Sequence, residues 1–289
     1  MACAIFWIRA VTDLVAVENL RISFPTPGGG RFTAVDGLSF AMGPEKLGIV
    51  GESGSGKTLT ALTLAGLAPK AAQITADRLE VAGQDLQKLS ARDWPKFRGD
   101  TVGLVMQDPR SALNPSLPIG RQVEEALRFH HRLSAKERRD RALAALESVG
   151  LPNPKALSAL YPHQLSGGMG QRVMIAAMLI NEPKLLIADE PTSALDEALR
   201  EQVLELLVGL VESRKMGLIL ISHDLVQVAR HCDRALVMYR GKLVDQGPAA
   251  ALPTSTNLYT STLWACRPSA TTHGHLLPVL DRAAIEASL

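Results

Sequence analysis

The stretch GESGSGKT, residues 51–58, decides the fold class of this chain. It matches the pattern GxxxxGK[ST], and it lies between the apolar run KLGIV at residues 46–50 and the run KTLTALTLAGL at residues 57–67. The first run predicts a buried strand and the second run a helix. A glycine-rich turn between a strand and a helix points backbone N–H groups and the helix N-terminus at an anion. We therefore predict a phosphate-binding loop (the P-loop) here.

Two adjacent carboxylates, Asp189 and Glu190, end the apolar run LLIADE at residues 185–190. In the P-loop, Lys57 supplies a charge for the β- and γ-phosphates of a nucleotide, and Thr58 offers a hydroxyl to Mg²⁺. Since α/β sheets place their ligands at the carboxyl ends of strands, we expect Asp189 to hold Mg²⁺ and Glu190 to position and polarise a water molecule. The alternative is a strand end with two solvated acids and no role in chemistry.

Apolar and β-branched runs alternate with helical patterns along the chain, which is typical of an α/β fold. Continuous apolar runs, rather than alternating ones, indicate strands that are buried on both faces of a sheet. After the strand at 46–50, such runs predict strands at 101–107, 184–189, 216–222 and 234–239.

The pattern changes after residue 108, where a proline-rich connector precedes two predicted helices at 119–130 and 134–149. The second helix begins with SAKE, whose serine and glutamate have the spacing of a capping box. Beyond Gly247 the regularity fades. We therefore expect a helical insertion in the α/β core and an irregular C-terminal part.

The composition is that of an ordinary globular protein: of 289 residues, 46% are apolar and 21% charged, with a net charge of +2. So mild a charge argues against a broad nucleic-acid-binding face. Cys3, Cys232 and Cys266 are far apart and form no CxxC pattern, so we expect neither a disulfide framework nor a zinc site. No apolar run reaches the ~18 residues of a membrane-spanning helix, so we expect any membrane role to come through a partner.

Gln107 and His223 each follow a predicted strand, where an amide could ligate Mg²⁺ or a water and a histidine could reach a γ-phosphate. Taken alone, each is explained equally well as a structural polar residue. LSGGMGQ at residues 165–171 (the signature segment) places a serine and two glycines before a helical run. This arrangement predicts a second phosphate cradle.

Six motifs occur in one order: the P-loop, Gln107, the signature segment, LLIADE, SALD at residues 193–196, and His223. In this order they resemble the nucleotide-binding subunit of an ATP-binding cassette (ABC) transporter, and the resemblance covers residues 14–247. The signature segment separates this family from kinases, GTPases and other P-loop ATPases. The stretches VGLVMQDPRSALNP, YPHQLSGGMGQRVMIA and LLIADEPTSALD are similar to the ATP-binding subunits of dipeptide, oligopeptide and nickel importers.

The resemblance implies an α/β fold, a P-loop ATPase core with an antiparallel β subdomain and an inserted α-helical subdomain. The implied division is an N-terminal extension at 1–13, a RecA-like ABC ATPase core at 14–107 and 172–246, a helical subdomain at 108–171 and a C-terminal appendage at 247–289.

ATP and Mg²⁺ are the implied cofactors. By the resemblance, Glu190 is the catalytic base, His223 the γ-phosphate switch and Gln107 a further catalytic residue. Phe24 is at the position for adenine stacking, with Phe32 as an alternative because the inserted PTPGGG allows either alignment, and with core packing as the other role for Phe24. The implied metal ligands are Thr58, Gln107 and Asp189. The implied nucleotide contacts are Phe24, Gly51, Ser53, Gly54, Ser55, Gly56, Lys57, Thr58, Leu165, Ser166, Gly167, Gly168, Gln171 and Asp196.

The implied partners are a second cassette joined head to tail, two transmembrane permease subunits and, indirectly, an extracytoplasmic solute-binding protein, with no nucleic acid. In such a dimer Ser166, Gly167 and Gly168 of one cassette cover the γ-phosphate held by Lys57 of the other. The implied location is peripheral, at the cytoplasmic face of the inner or plasma membrane.

The transported solute stays open between peptides, nickel and metal–chelator complexes. Peptide members of the family often end in a cysteine-rich segment able to hold an iron–sulfur cluster, but this tail has only Cys266, so we expect no cluster. The rival functions are a non-transport ABC ATPase acting on DNA, ribosomes or protein, and an exporter cassette. The chain lacks the long coiled coils of the DNA-repair type, and its motifs occur once, whereas the ribosome-acting type usually carries two cassettes.

Overall fold

Two β-sheets and their connecting helices make up the described part of the chain. The computed structural model describes residues 13–108, 112–267 and 280–288. The strands are β1 (Val15–Pro25), β2 (Arg31–Met42), β3 (Lys46–Val50), β4 (Gln73–Thr75), β5 (Arg78–Val81), β6 (Gln84–Asp85), β7 (Val102–Val105), β8 (Leu185–Asp189), β9 (Gly217–Ile221), β10 (Arg234–Tyr239) and β11 (Lys242–Pro248). The helices are α1 (Lys57–Leu64), α2 (Trp94–Asp100), α3 (Ile119–His130), α4 (Ala135–Ser148), α5 (Pro154–Leu157), α6 (Gly167–Leu179), α7 (Glu197–Ser213), α8 (Leu225–His231), α9 (Leu258–Ala265) and α10 (Arg282–Ser288).

The central sheet has the strand order β11–β10–β3–β9–β8–β7. The strands from β10 to β7 are parallel, and β11 pairs antiparallel with β10. Leu186 and Leu220 belong to one apolar core, whereas their neighbours Ile187 and Ile221 belong to the other. The sheet is therefore buried on both faces, as the continuous apolar runs predict. The predicted strands are confirmed, with ends that differ by no more than two residues.

The second sheet is antiparallel and has the order β2–β1–β5–β6, with β4 paired to β1 outside that order. Val17, Leu38 and Phe40 of this sheet share one core with side chains of β3, β8, β9 and α1. The second sheet therefore covers one face of the central sheet. This confirms the predicted fold class, an α/β ATPase core with an antiparallel β subdomain.

Helices α3 to α7 pack in the core on the other face, where Leu146 of α4 is fully buried. Helix α4 begins with a capping box: Ser134 Oγ accepts from the Glu137 N–H at 3.2 Å, and the Glu137 carboxylate accepts from the Ser134 N–H at 2.8 Å. This confirms the predicted helix start. The division into subdomains stays a prediction, and its limits after residues 171 and 246 lie within α6 and β11.

The chain after Gly247 is more regular than its sequence indicates, with a 3-10 turn at Ala249–Thr254 followed by α9 and α10. Asn257 caps α9 by accepting from the Thr260 N–H at 3.1 Å. Tyr259 is the fully buried side chain that fastens this helix to the core. Leu263 and Trp264 of α9 also pack, partly buried, against this core, but a helix of 8 residues is too short for a periodic apolar pattern to show it in the sequence.

Candidate active site

The parallel strands of the central sheet bring four chain segments to one edge. β3 leads into the P-loop, β8 ends at Asp189 and continues to Glu190, β9 leads to His223, and β7 leads to Gln107. β9 lies between β3 and β8, and β7 is the other neighbour of β8. Residues predicted from separate stretches of sequence therefore lie along a single edge of the sheet.

The P-loop is packed closely against its neighbours in β2 and β10. Gly51 has a φ of 148°, and a Cβ there would lie 2.1 Å from the backbone oxygen of Met238. Gly56 has a φ of 101°, and a Cβ there would lie 2.9 Å from Val35 Cγ2. Both positions require glycine, because a side chain has neither the space nor an unstrained backbone there.

Lys57 lies inside the P-loop, with 6% of its surface exposed. Its ammonium donates to the carbonyl oxygens of Gly51 at 2.7 Å and Glu52 at 2.8 Å. Burial lowers the pKa of Lys57, and the carboxylates of Glu190, Asp189 and Glu52 oppose that shift. The ammonium also donates to Ser55 Oγ at 3.5 Å, so all of these partners are neutral. A partly desolvated cation with neutral partners binds a phosphate oxygen favourably, because the hydrogen bond then has charge on both sides.

Asp189 carries a buried carboxylate oxygen, Oδ1, with no hydrogen-bond partner among the described residues. Burial is the largest effect on the pKa of Asp189 and raises it, and the carboxylate of Glu190 also raises it. The hydroxyl of Thr58 and the Lys57 ammonium lower it, but the pKa stays above its usual value. A buried carboxylate oxygen next to a threonine hydroxyl is a donor set that Mg²⁺ prefers. The residues present therefore fit a magnesium ion.

Glu190 has a left-handed backbone, with a φ of 47°. Its N–H donates to the Ile221 carbonyl at 2.9 Å, and its own carbonyl accepts from the Ser193 hydroxyl at 3.1 Å. His223 Nδ1 lies 3.3 Å from Glu190 Oε1. A positive φ at a residue other than glycine costs free energy, and such residues are concentrated at functional sites. The backbone of Glu190 is therefore strained, and its hydrogen bonds to Ile221 and Ser193 hold it in this conformation.

The signature segment lies apart from the P-loop of the same chain. Ser166 is the N-cap of α6, and its hydroxyl oxygen accepts from the Met169 N–H at 3.3 Å. Ser166 and Gly167 are exposed, Leu165 is partly buried, and Gly168 and Gln171 are buried. None of the hydrogen bonds or ion pairs among the described residues joins the signature segment to the P-loop. The start of the signature segment therefore faces solvent and does not contact the P-loop of its own chain.

Two other predicted site residues have simpler surroundings. Asp196 is the N-cap of α7, where its carboxylate accepts from the Leu199 N–H at 3.0 Å. Gln107 is exposed, two residues beyond the end of β7. The structure therefore shows a capping contact for Asp196 and places Gln107 at the edge of the site.

Phe24 and Phe32 are direct cross-strand partners on the β1–β2 hairpin. Phe24 packs partly buried against the core beneath the second sheet, while Phe32 is 61% exposed. Further along β2, Val35 lies against the P-loop at Gly56. Phe32 is therefore carried by the strand that borders the P-loop, and Phe24 by the strand paired with it.

Comparison with known proteins decides the family. A family model described as ABC transporter matches residues 35–193, which is more than half of the chain. The chain belongs to the ABC transporter family. The putative peptide import ATP-binding protein of Brucella abortus (strain 2308) is 46% identical over 236 residues, 81% of this chain and 71% of the relative. The dipeptide transport ATP-binding protein DppD of Escherichia coli (strain K12) is 43% identical over 240 residues, 83% of this chain and 73% of the relative.

A solved structure of the ATP-binding cassette MJ0796, a dimer in a post-hydrolysis state with ADP and Pi, has a TM-score of 0.70 to this cassette. The two sequences are 29% identical, and the match covers 81% of this chain and 98% of the other. Membership of the family makes this ABC cassette an ATPase, as its motifs predict. Across the residues that the structure describes, no helix has the length and apolar character to cross a membrane.

Sequence reasoning missed two C-terminal side chains that contact Glu52 of the P-loop in this ABC cassette, those of Tyr259 and of Arg282, whose Nη2 lies 3.8 Å from Glu52 Oε1. The hydroxyl oxygen of Tyr259 accepts from the Glu52 N–H at 3.0 Å, across a separation of 207 residues. The only sequence signal is an aromatic side chain in a part of the chain that lacks an apolar pattern. No local pattern connects that position with a phosphate loop.

Asp189→Asn is expected to raise the melting temperature of the nucleotide-free protein by a few degrees at neutral pH. Burial disfavours the ionised carboxylate, and a neutral amide removes that cost. In a domain of this size, a gain of about 1 kcal/mol in the free energy of unfolding raises the melting temperature by roughly 2–4 °C. Because the pKa of Asp189 is raised in the fold, ionisation destabilises the protein as the pH rises through that pKa, so the gain should shrink in acid.

The measurement is thermal unfolding in the presence of a chelator. The control is Asp85→Asn, because Lys88 lowers the pKa of the Asp85 carboxyl and its neutralisation should give no gain. A melting temperature of Asp189→Asn equal to or below that of the unchanged protein would contradict the assignment of a desolvated carboxylate.

Proposed function

We propose that this ABC cassette energises the import of peptides through separate membrane-spanning permease subunits. The observation that carries the proposal is the identity of 43–46%, over more than four fifths of the chain, to relatives named for peptide import and dipeptide transport. Nickel and metal–chelator complexes are the alternative solutes. The names of the relatives above favour peptides over these alternatives.

The site residues divide the work of ATP hydrolysis in this proposal. Lys57 binds the β- and γ-phosphate oxygens, and Thr58, Gln107 and Asp189 hold Mg²⁺, which when bound neutralises phosphate charge. The Asp189 oxygen without a protein partner supports this assignment, since a desolvated acceptor is costly until it gains a ligand. Glu190 accepts the proton of the attacking water.

His223 is proposed to orient that base and the terminal phosphate. Its Nδ1 is 3.3 Å from Glu190 Oε1, so the imidazole and the carboxylate limit each other's rotation. The side chain of His223 is 63% exposed, while that of Glu190 is 25% exposed. The ring therefore lies on the solvent side of the base, where a γ-phosphate arrives.

We propose that the signature segment acts on a nucleotide bound by a second cassette, in a head-to-tail dimer. Its separation from the P-loop of its own chain supports this reading, as does the exposure of Ser166 and Gly167 at the start of α6. A helix N-terminus with small residues lets backbone N–H groups approach a γ-phosphate closely. Leu165, Gly168, Gln171 and Asp196 complete the proposed contact, and the second cassette is either another copy or a related chain.

The adenine base is proposed to stack on the β1–β2 hairpin beside the P-loop. Phe24 is the position that the family resemblance favours, and Phe32 is the alternative. The exposure of Phe32 leaves its ring open to a ligand, whereas the partial burial of Phe24 supports a packing role as well. Stacking on either ring is the expected contact, because aromatic faces bind bases without regard to sequence.

The location proposed for this cassette is peripheral, on the cytoplasmic face of the inner or plasma membrane. The helical segment 108–171 and the chain after Gln107 would contact the permease subunits, and a solute-binding protein would act from the other side. The lack of a spanning helix among the described residues is consistent with attachment through such partners. A non-transport ABC ATPase or an exporter cassette is the alternative.

The test is affinity purification of the tagged full chain from detergent-solubilised membranes, with untagged cells as the control. We expect two polytopic membrane proteins to co-purify. In vesicles rebuilt from that complex with its solute-binding protein, dipeptides should stimulate ATP turnover and Ni²⁺ should not. Recovery of ribosomes or DNA alone would contradict the transport role, and stimulation by Ni²⁺ alone would contradict the peptide assignment.

A further inference from the structure

Tyr259 of helix α9 reaches the back of the P-loop. Its side chain is fully buried, and its hydroxyl oxygen accepts from the Glu52 N–H at 3.0 Å. The ring packs on Tyr239 at the end of β10, with ring centroids 4.7 Å apart. Burial raises the pKa of Tyr259 to about 12, so the hydroxyl stays neutral at physiological pH and the contact persists.

The peptide unit that Tyr259 contacts also holds Lys57 of the P-loop. The Glu52 N–H and the Gly51 carbonyl belong to one peptide group, and that carbonyl accepts from Lys57 Nζ at 2.7 Å. A peptide group is planar, so a hydrogen bond that fixes its N–H also fixes the direction of its C=O. By fixing this peptide group, the Tyr259 hydroxyl therefore also fixes the position of the Gly51 carbonyl that accepts from Lys57.

Helix α9 is itself anchored, which makes the position of the hydroxyl well defined. Asp245 of β11 accepts from the hydroxyls of Ser255 at 2.6 Å and Thr260 at 2.7 Å. Asn257, the N-cap of α9, donates to the Val244 carbonyl at 2.9 Å. These contacts tie the helix to the strand next to β10, so the tyrosine reaches the loop from a rigid support.

We propose that Tyr259 is a positioning residue for ATP binding, acting through the Gly51–Glu52 peptide on the ammonium of Lys57. The segment around α9 is then part of the nucleotide site, although it lies far from the P-loop in sequence. The proposal rests on the role proposed above for Lys57. A purely structural role, in which the ring only fills the core, predicts a different outcome.

The test compares Tyr259→Phe with Tyr239→Phe in the full chain. Tyr259→Phe keeps the ring and removes the hydrogen bond to Glu52. Tyr239→Phe removes the hydroxyl of the neighbouring ring, which lies 3.5 Å from Glu286 Oε1 of α10. The readouts are the Kd for ATP by equilibrium titration without turnover, and KM and kcat for hydrolysis.

Tyr259→Phe is expected to raise the Kd and KM for ATP about three- to tenfold, the range for loss of one neutral buried hydrogen bond. The kcat should stay within about twofold, because Glu190 and His223 keep their positions. Tyr239→Phe should leave all three constants unchanged. If Tyr259→Phe fails to fold, Asp245→Ala, which loosens α9 without touching the ring, should raise KM in the same way.

Four results would overturn the proposal. A Kd and KM of Tyr259→Phe equal to those of the unchanged protein would show that the hydrogen bond does not position the loop. A fall in kcat with KM unchanged, or equal effects of the two tyrosine variants, would indicate loss of active protein or of ring packing. Lys57→Ala, measured in the same titration, should lose most of its ATP affinity, and unchanged binding there would overturn both the role of Lys57 and the proposal that depends on it.

Discussion

Glu190→Gln is expected to reduce ATP turnover by at least about a hundredfold, the lower end of what a general base contributes. The amide has nearly the shape of the carboxylate but cannot accept the proton of the attacking water. ATP affinity should stay within about twofold, because the P-loop and Lys57 are unchanged. Phosphate release and equilibrium ATP titration measure the two quantities separately.

Glu201→Gln is the matched control for this variant. Glu201 Oε1 lies 3.2 Å from His231 Nε2, which is a second glutamate–histidine pair, between α7 and α8 instead of at the sheet edge. Its substitution should leave turnover unchanged. Turnover of Glu190→Gln at the level of the unchanged protein, or an equal loss in Glu201→Gln, would remove Glu190 from the role of base.

Ser166→Arg is expected to abolish ATP-dependent dimerisation and to lower turnover by at least about a hundredfold, as loss of preorganised contacts to a developing phosphate charge does. Ser166 is exposed at the start of α6, so a long side chain there stays in solvent in the monomer and obstructs a facing cassette. ATP binding by the monomer should be retained. Light scattering with and without ATP, in the Glu190→Gln background that prevents turnover, measures dimerisation.

Ser134→Arg is the control for the helix itself. Ser134 is also an exposed serine N-cap, so its loss costs about 1 kcal/mol of helix stability, as the loss of Ser166 does. If both variants impair dimerisation, the effect comes from stability and not from the interface. Normal ATP-dependent dimers of Ser166→Arg would end the proposal that the signature segment acts across a dimer.

Much of the site is visible in the sequence because its parts are local patterns. The P-loop, the two acids that end LLIADE and the serine–glutamate capping box each depend on residues within a few positions of one another, and the structure contains all of them. Parallel strands then bring their ends to one edge, so a rule about sheets is enough to predict that Glu190 and His223 lie close together.

The rest depends on contacts that no local pattern reports. Tyr259 contacts Glu52 across 207 residues, and α9 is too short for its apolar side chains to form a periodic pattern, so its caps and hydroxyl contacts also position it. The left-handed backbone of Glu190 follows from packing of β8 against β9, and a glutamate carries no sequence sign of it. Phe24 and Phe32 face each other across one hairpin, so sequence position alone does not separate them.

The separation of the signature segment from the P-loop has a kinetic meaning. If the signature segment acts on the nucleotide of a second cassette, as proposed above, the rate of hydrolysis depends on meeting that second cassette. At concentrations well below the dissociation constant of the cassette dimer, the rate of hydrolysis then grows with the square of the protein concentration, and dilution nearly abolishes it. In the proposed membrane complex, two cassettes held side by side would no longer depend on concentration, so the permease would set their effective concentration as well as the path of the solute.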